Sequence, residues 1–525
     1  MCWWRRRHER LRWKNEVVMT PRHSPTTWGP PDGDASGDDG NWYDERAIEF
    51  AVHGLSNRLP AYSAHRRFSL GQRIGIGLAF VAVVVAFVFK PIEAGIVGMT
   101  ALMILYTGVL AMRIDLAVRG RGDQRVRFSD DELAALDLES LPSISILVPA
   151  YKEPEVLPHL IEHLAALEYP SDRLEIKLLL EEDDAETIAS AAALNLRAPF
   201  EIIIVPPVGP RTKPKALNYA LLGCKGDLVC IFDAEDRPDP KQLLKVAATF
   251  AQLGERVGCV QAELAYYNAD ENLITRWFAV EYRMWFKQFL PALSRLNAAI
   301  PLGGTSNYMR RELLIKMGAW DPYNVTEDAD LGIRLRRCGY TVAVLDSVTY
   351  EEANTDFVNW MKQRSRWYKG YLQTWLVHMR HPRQLIKDIG FAAFVRFNLF
   401  VGGTPVLAML NPVSWALILL WFVLQPHFII EIMPAPVYYS GLFGWLFGNF
   451  ALYYLNLMTA YEFEDEKVFL AALRLPAYWV MMSIAAAKAL LQLIFNPAYW
   501  EKTQHGLSNL RPEPEALAPA EAEFA

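Results

Sequence analysis

Four clusters of chemically capable side chains follow one another along this chain. They are Glu181-Glu182-Asp183-Asp184, Asp233-Ala234-Glu235-Asp236, Thr326-Glu327-Asp328 and Gln363-Arg364-Ser365-Arg366-Trp367. The first two each close an apolar run that reads as a β-strand. Carboxylates at a strand end suit a hard divalent cation, Mg2+ or Mn2+, which takes oxygen ligands and shares them with substrate phosphates. A cationic, aromatic segment further on suits a diphosphate and a sugar ring. The order predicts a metal–diphosphate site beside a sugar-binding groove.

Each cluster also has an ordinary reading. Asp233, Glu235 and Asp236 are candidate metal ligands, and which of them binds stays open; a solvated acidic turn is the alternative. Asp183 and Asp184 are candidates for hydrogen bonds from a nucleotide base or ribose. Asp184, just before Ala185-Glu186-Thr187, equally suits a helix N-cap. Tyr151 and Glu153, just past an earlier strand, are in the matching place to contact the base. Lys213, in Thr212-Lys213-Pro214-Lys215, opens a helix and can meet phosphate oxygens. Asp328, with Glu327 beside it, is the candidate general base for an acceptor hydroxyl, against ordinary capping by Thr326. Residues 357–375 place Phe357, Trp360, Trp367, Tyr371 and Trp375 at helical spacing among Lys and Arg, which predicts an amphipathic helix at a membrane surface. Within it, Trp367 can stack on a sugar, Gln363 can hydrogen-bond it and Arg366 can hold a diphosphate.

These side chains need a scaffold. Residues 143–149, 174–182, 200–207 and 228–233 read as strands, separated by helical patterns at 155–168, 185–196 and 214–222. That alternation predicts an α/β domain with a mostly parallel sheet and helices on both faces. Ligands of such sheets bind beyond the carboxyl ends of the strands, where both early acidic clusters fall.

The chain has 525 residues, 52% hydrophobic and 21% charged, with net charge -6. A global basic surface is absent, so nucleic acid is not an expected partner. Residues 74–89 carry no charge, and a second apolar run follows Lys90-Pro91 to Met112. Both flanks are basic, with Arg66, Arg67 and Arg73 before and Arg113, Arg119, Arg121, Arg125 and Arg127 after, which places both in the cytosol. Apolar runs return near 393–425, 436–460 and 476–497, so five or six spans are expected. The five cysteines lack any metal-site spacing and read as buried hydrophobes in a reducing compartment. The expected organisation is a disordered basic segment at 1–66, in which Trp3, Trp4 and Trp13 carry no structure, a helical hairpin at 67–112 and a cytosolic domain at 140–350. Interface helices at 351–392, membrane helices at 393–497 and a short tail at 498–525 follow.

Over roughly residues 140–500 the ordered motifs resemble the inverting family 2 glycosyltransferases, in particular their processive, membrane-integrated, cellulose-synthase-like branch. The resemblance implies a GT-A-type fold, a UDP-sugar donor, a divalent metal, a growing glycan acceptor threaded through the membrane helices, and a multi-pass protein of the bacterial inner membrane with membrane lipids and secretion or regulatory proteins as partners. It puts Asp233 and Glu235 at the family's Asp-x-Asp, Asp328 at the base, Lys213 at a donor contact, and Gln363, Arg366 and Trp367 at the acceptor motif. Gly303-Gly304-Thr305-Ser306 stands where cellulose synthases carry another motif near the acceptor, which makes Thr305 an acceptor-binding candidate. The implied product is a β-linked exopolysaccharide. Transfer of one sugar to a lipid carrier, and an inactive scaffold of a secretion complex, are the alternatives.

Overall fold

The computed structural model describes residues 45–122, 125–497, 499–503, 506 and 508. Eight strands form one sheet: β1 (Ile144–Ala150), β2 (Leu174–Glu181), β3 (Phe200–Val205), β4 (Leu228–Ile231), β5 (Arg237–Pro238), β6 (Val257–Tyr266), β7 (Asn307–Arg310) and β8 (Thr341–Glu351). Their order is β3-β2-β1-β4-β7-β6-β8-β5. The β3, β2, β1 and β4 half is parallel, and β7 is antiparallel to both β4 and β6. The mostly parallel sheet predicted from the alternation is present, and the four predicted strands lie in its parallel half.

Alternation along the strands builds two cores. Leu147, Leu179, Val229 and Ile231 face one side and pack with Leu217 and Leu221 of the Lys213–Leu221 helix. Ile146, Val148, Leu178 and Cys230 face the other and pack with Leu160, Leu164 and Val246. Apolar residues on both faces explain the continuous hydrophobic runs, because a sheet covered on both sides has no solvated face. The connections reverse between β1 and β4, and such a switch point opens a crevice at the strand ends.

Residues 45–58 correct the expectation of disorder across 1–66. They form a helix, Glu45–Arg58, that buries Ala47, Phe50, Ala51 and Leu55 at helical spacing, and Ala51 O accepts a hydrogen bond from Asn218 at 3.3 Å. Residues 1–44, including Trp3, Trp4 and Trp13, and the tail at 512–525 lie outside the described residues.

Among the described residues, four helices are long and apolar enough to cross a membrane: Leu70–Phe89, Pro91–Gly120, Phe391–Leu424 and Leu475–Phe495. Lys90 and Pro91 make the hairpin turn, and the second arm runs past 112 to Gly120. The run at 436–460 is helical from Ala435 to Tyr461 through a π-turn at Gly444–Gly448. Leu475–Phe495 differs from the other three in one respect. Tyr478 near its start donates to Glu281 at 2.7 Å, and Pro497 just after its end accepts from Gln373 at 2.9 Å. Both ends thus lie against the Leu273–Met284 and Phe357–His378 helices.

Candidate active site

The chain leaves β4 into Phe232 and Asp233. Asp233 lines a cavity of about 540 Å3 at the strand ends. Its carboxylate takes a hydrogen bond from Lys213 Nζ, which also donates to Gly304 O at 3.0 Å. Glu235 lines the same cavity. Asp236 does not. It is 0% exposed, accepts from Asp233 N at 2.7 Å and from the Thr305 hydroxyl, and so ties the turn to the 303–306 loop. Oδ2 of Asp236 therefore holds the turn, while its Oδ1 is left without a hydrogen-bond partner. Thr305 borders the cavity, but its hydroxyl is spent on Asp236 rather than directed to an acceptor.

The two Asp residues after β2 part company. Asp183 lines the cavity and pairs with Arg211. Asp184 is 5% exposed and caps the Ala185–Ala193 helix, accepting from Thr187 N at 3.3 Å and from Lys152 N at 2.5 Å. Its donor-binding assignment gives way to the capping alternative, because both of its oxygens are engaged by backbone N–H groups. Tyr151 and Glu153, past the end of β1, line the cavity on the side of Asp183.

Glu327 and Asp328 begin the Glu327–Arg337 helix and face the same cavity. Burial raises the pKa of both. Asp328 is additionally held down by the Ala329 N–H, which donates to it at 2.7 Å, and then by Lys213. Glu327 is pushed up by burial and then by the neighbouring Asp328 charge. The second of the pair is therefore the one that stays ionised more readily. Gly304 lets the 303–306 loop pass close to Asp328: a Cβ there would sit 3.3 Å from Oδ2.

The cationic segment lies on a single helix, Phe357–His378, capped by Asp356. Gln363, Arg366 and Trp367 all line the cavity. Gln363 Oε1 accepts from Asn354 at 2.8 Å. Arg366 feels the charges of Glu327, Asp233 and Asp328, so one guanidinium adjoins both the acidic turn and the Glu327-Asp328 pair. Trp367 stacks on Tyr282 at 6.1 Å between ring centres. Arg364, which the sequence reading passed over, holds this arrangement. It makes two hydrogen bonds to Glu281, at 2.8 and 2.5 Å, and its guanidinium lies 4.8 Å from the Trp367 ring centre.

Gly370 brings that helix against the Thr326-Glu327-Asp328 turn. Any Cβ at 370 would overlap the Thr326 side chain, so only glycine permits the approach. Gly370→Ala is expected to lower stability by about 1–3 kcal/mol, the usual cost of overpacking, and to reduce turnover by displacing Asp328. Thermal unfolding and steady-state kinetics of the purified variant check this. Unchanged kinetics would show that the approach does not set the position of Asp328.

A second missed group comes from far along the chain. Residues 499–503 cross the cavity, which Trp500, Lys502 and Thr503 line. Arg366 donates to Glu501 O at 3.3 Å and lies over the Trp500 ring at 4.9 Å. Lys502 reaches Tyr151 O and lies 3.6 Å from Glu153. Gly506 N and Ser508 N donate to Glu352 at 2.7 and 2.8 Å. An aromatic followed by a lysine after the last apolar run was the available signal. Its partners, more than 100 residues earlier in the chain, gave the sequence reading no way to place it.

Asp233, Asp328 and Trp367 thus share one cavity. It continues past Trp367 to Arg113, Phe400, Leu452 and Met482, all on apolar helices.

The acidic turn fits a divalent cation by its chemistry. Glu235 and Glu351 are raised in pKa, first by burial and then by neighbouring carboxylates, Asp233 for Glu235 and Asp236 for Glu351. Glu351 Oε1 and Asp236 Oδ1 are sealed from solvent without a hydrogen-bond partner. Crowded oxygen donors of one sign are relieved by a cation. Among the described residues no three His, Cys, Asp or Glu side chains form a ready cluster, as expected where one or two carboxylates and substrate phosphates complete the shell.

Residues 142–370 match the model described as glycosyltransferase like family 2. A probable glycosyltransferase, YdaM, of Bacillus subtilis is 28% identical over 282 residues, covering 51% of this chain and 65% of that protein. A beta-monoglucosyldiacylglycerol synthase of Trichormus variabilis is 31% identical over 242 residues, covering 45% of this chain and 50% of that one. The chain thus spans between half and two thirds of these relatives. Among solved structures, a mannosyltransferase, PcManGT, from Pyrobaculum calidifontis in complex with GDP-Man and Mn2+ superposes with a TM-score of 0.50 at 18% identity. That match covers 77% of this chain and 99% of that one, and it identifies the fold as GT-A-like.

Proposed function

With a family 2 glycosyltransferase domain over residues 142–370 as the premise, we propose that the protein transfers a hexose from a UDP-sugar to a hydroxyl of an acceptor held at the cytosolic membrane surface, with inversion at the anomeric carbon. The observation that carries this is the single cavity joining Asp233, Asp328 and Trp367 to residues of the apolar helices.

In this reading Asp183 and Tyr151 hold the nucleoside, and Lys213 and Arg366 hold the diphosphate. Asp233 and Glu235 hold Mg2+ or Mn2+, which when bound neutralises charge on the leaving diphosphate. Mn2+ in the PcManGT complex agrees with that use. Asp328 takes the proton of the acceptor hydroxyl as its oxygen bonds to C1 and the C1–O bond to UDP breaks. Trp367 offers the acceptor an apolar face, and Gln363 offers it a hydrogen bond. The Leu475–Phe495 helix lies along the membrane surface in this account, since both its ends meet the Phe357–His378 helix or its partners.

The acceptor is best read as amphiphilic, because the cavity beyond Trp367 is walled by Phe400, Leu452 and Met482. A relative whose printed name is a glucosyldiacylglycerol synthase agrees. Repeated transfer to build a β-linked exopolysaccharide is the second reading. Trp367 favours it, since an aromatic side chain lining the same cavity as Asp328 can hold the terminal sugar of a chain. Membranes containing the protein, incubated with radiolabelled UDP-sugars and fractionated, separate the two. Solvent-extractable label supports the lipid acceptor, and high-mass, glycosidase-sensitive label supports the polymer. Label in neither product, with no UDP released, removes the transferase reading.

The raised pKa of Asp328 fixes the sign of the pH dependence. A base works only when ionised. As pH falls through a raised pKa the base is protonated, so activity is lost above the ordinary aspartate range of about 3.9. A plot of kcat/KM against pH is expected to show an acid limb displaced upward from that value. An acid limb at the ordinary value would assign it to an exposed carboxylate.

A further inference from the structure

Arg113 fits the set of positive charges that orient the helical hairpin, but its side chain faces the cavity. Its Nη2 donates to Thr404 Oγ1 at 3.2 Å, its single hydrogen bond among the described residues. Its Nε is sealed from solvent with no partner. Glu281, whose charge it feels, is already occupied by two bonds from Arg364 and one from Tyr478. A guanidinium carries five N–H donors in a fork that matches phosphate. A shielded cation with most of its donors unmet, facing an open cavity, calls for an anion.

The position of Arg113 says which anion. At about 1.5 Å of rise per residue, about 33 Å of helix separates Pro91 from Arg113. The hydrocarbon core of a bilayer is about 30 Å thick. Arg113 therefore stands at headgroup depth, where lipid phosphates lie. The surrounding walls, Phe289, Phe400 and Leu452, suit an acyl or isoprenoid chain better than a free ion or a hydrated sugar acid. Tyr371 lies within electrostatic reach of both Arg113 and Asp328, so the anion site and the base adjoin one aromatic side chain.

We infer that Arg113 seats the phosphate of a lipid acceptor whose hydroxyl-bearing head extends past Trp367 to Asp328. The phosphate is a handle and does not react; the nucleophile is the hydroxyl beyond it. This rests on the transferase reading above and names the class of its acceptor.

The test is binding to the full chain in maltoside detergent, with no nucleotide sugar present. The probes are dodecylphosphoglycerol, dodecylglycerol and inorganic phosphate. The phosphate-bearing amphiphile is expected to bind at least about tenfold more tightly than its phosphate-free partner, a difference of one order in Kd. Arg113→Gln should bring the two within about twofold, and Arg113→Lys should fall between, since charge without the fork keeps part of the contact. UDP binding, unchanged in each variant, shows that the domain is folded. Equal binding of the two amphiphiles, or an unaltered preference in Arg113→Gln, overturns the inference. Displacement of the amphiphile by inorganic phosphate at comparable concentration overturns it too, since the site would then belong to a free anion. Failure of the transferase reading is seen elsewhere, as absence of UDP release on adding donor, and it leaves an Arg113-dependent preference standing as a lipid site.

Discussion

Asp328→Asn is expected to lower kcat by about 10³-fold, within the range for losing a positioned general base, while the Kd for UDP-sugar stays within about threefold. The amide keeps the shape and cannot take the proton. Ala329 N–H still has an oxygen to donate to, so the helix start is retained. Lys213 and Arg366, the proposed diphosphate contacts, and Asp233, the proposed metal ligand, do not depend on residue 328 for their position. Glu327 lies beside it in the same cavity, but burial and the adjacent Asp328 charge hold it protonated. Losing that charge in the variant makes Glu327 more acidic, so a residual rate with a pH profile of its own is expected. Pre-steady-state measurement of UDP release, alongside equilibrium donor binding, checks the split. Parental turnover in the Asn variant would leave Asp328 with helix capping alone.

The second large effect is at Asp233. Asp233→Asn removes a charge from the crowded turn and leaves Lys213 without its carboxylate partner. Donor binding through Lys213 and Arg366 alone should persist, because an unpaired lysine attracts phosphate. Metal stimulation should not. The metal concentration for half-maximal rate is expected to rise more than tenfold, and the rate at saturation to fall by about 10²-fold, since the metal's role is to neutralise the leaving group. A titration of initial rate against Mn2+ and Mg2+ in both proteins measures it. An unchanged half-maximal concentration would make Asp233 the partner of Lys213 and leave the metal to Glu235.

Much of this site could be read from the residues because a strand end is a local feature. Asp233 follows an apolar run directly and Asp183 follows one after Glu181 and Glu182, and the parallel half of the sheet places both ends on one crevice. What the pattern could not separate was neighbours with the same chemistry. Asp184 and Asp236 differ from Asp183 and Asp233 only in which way the turn rotates them, and backbone N–H groups decide that. Long-range contacts were hidden for another reason. Trp500 and Lys502 reach the site only because the Leu475–Phe495 helix returns the chain to it. Arg364 was passed over because its contacts, Glu281 and Tyr478, come from other helices. Arg113 sits among residues that fit a simple charge rule, and only its orientation distinguishes it. The helix at 45–58 was masked by a Pro- and Gly-rich stretch just before it.

The measurement that bears most directly on the whole account is a structure of the full chain with UDP and Mn2+ bound. The account predicts the diphosphate between Lys213 and Arg366, the metal against Asp233, and Asp328 with Trp367 on the side from which an acceptor would approach. Density for UDP outside the cavity, or a nucleotide with Asp328 turned away from its diphosphate end, would contradict it.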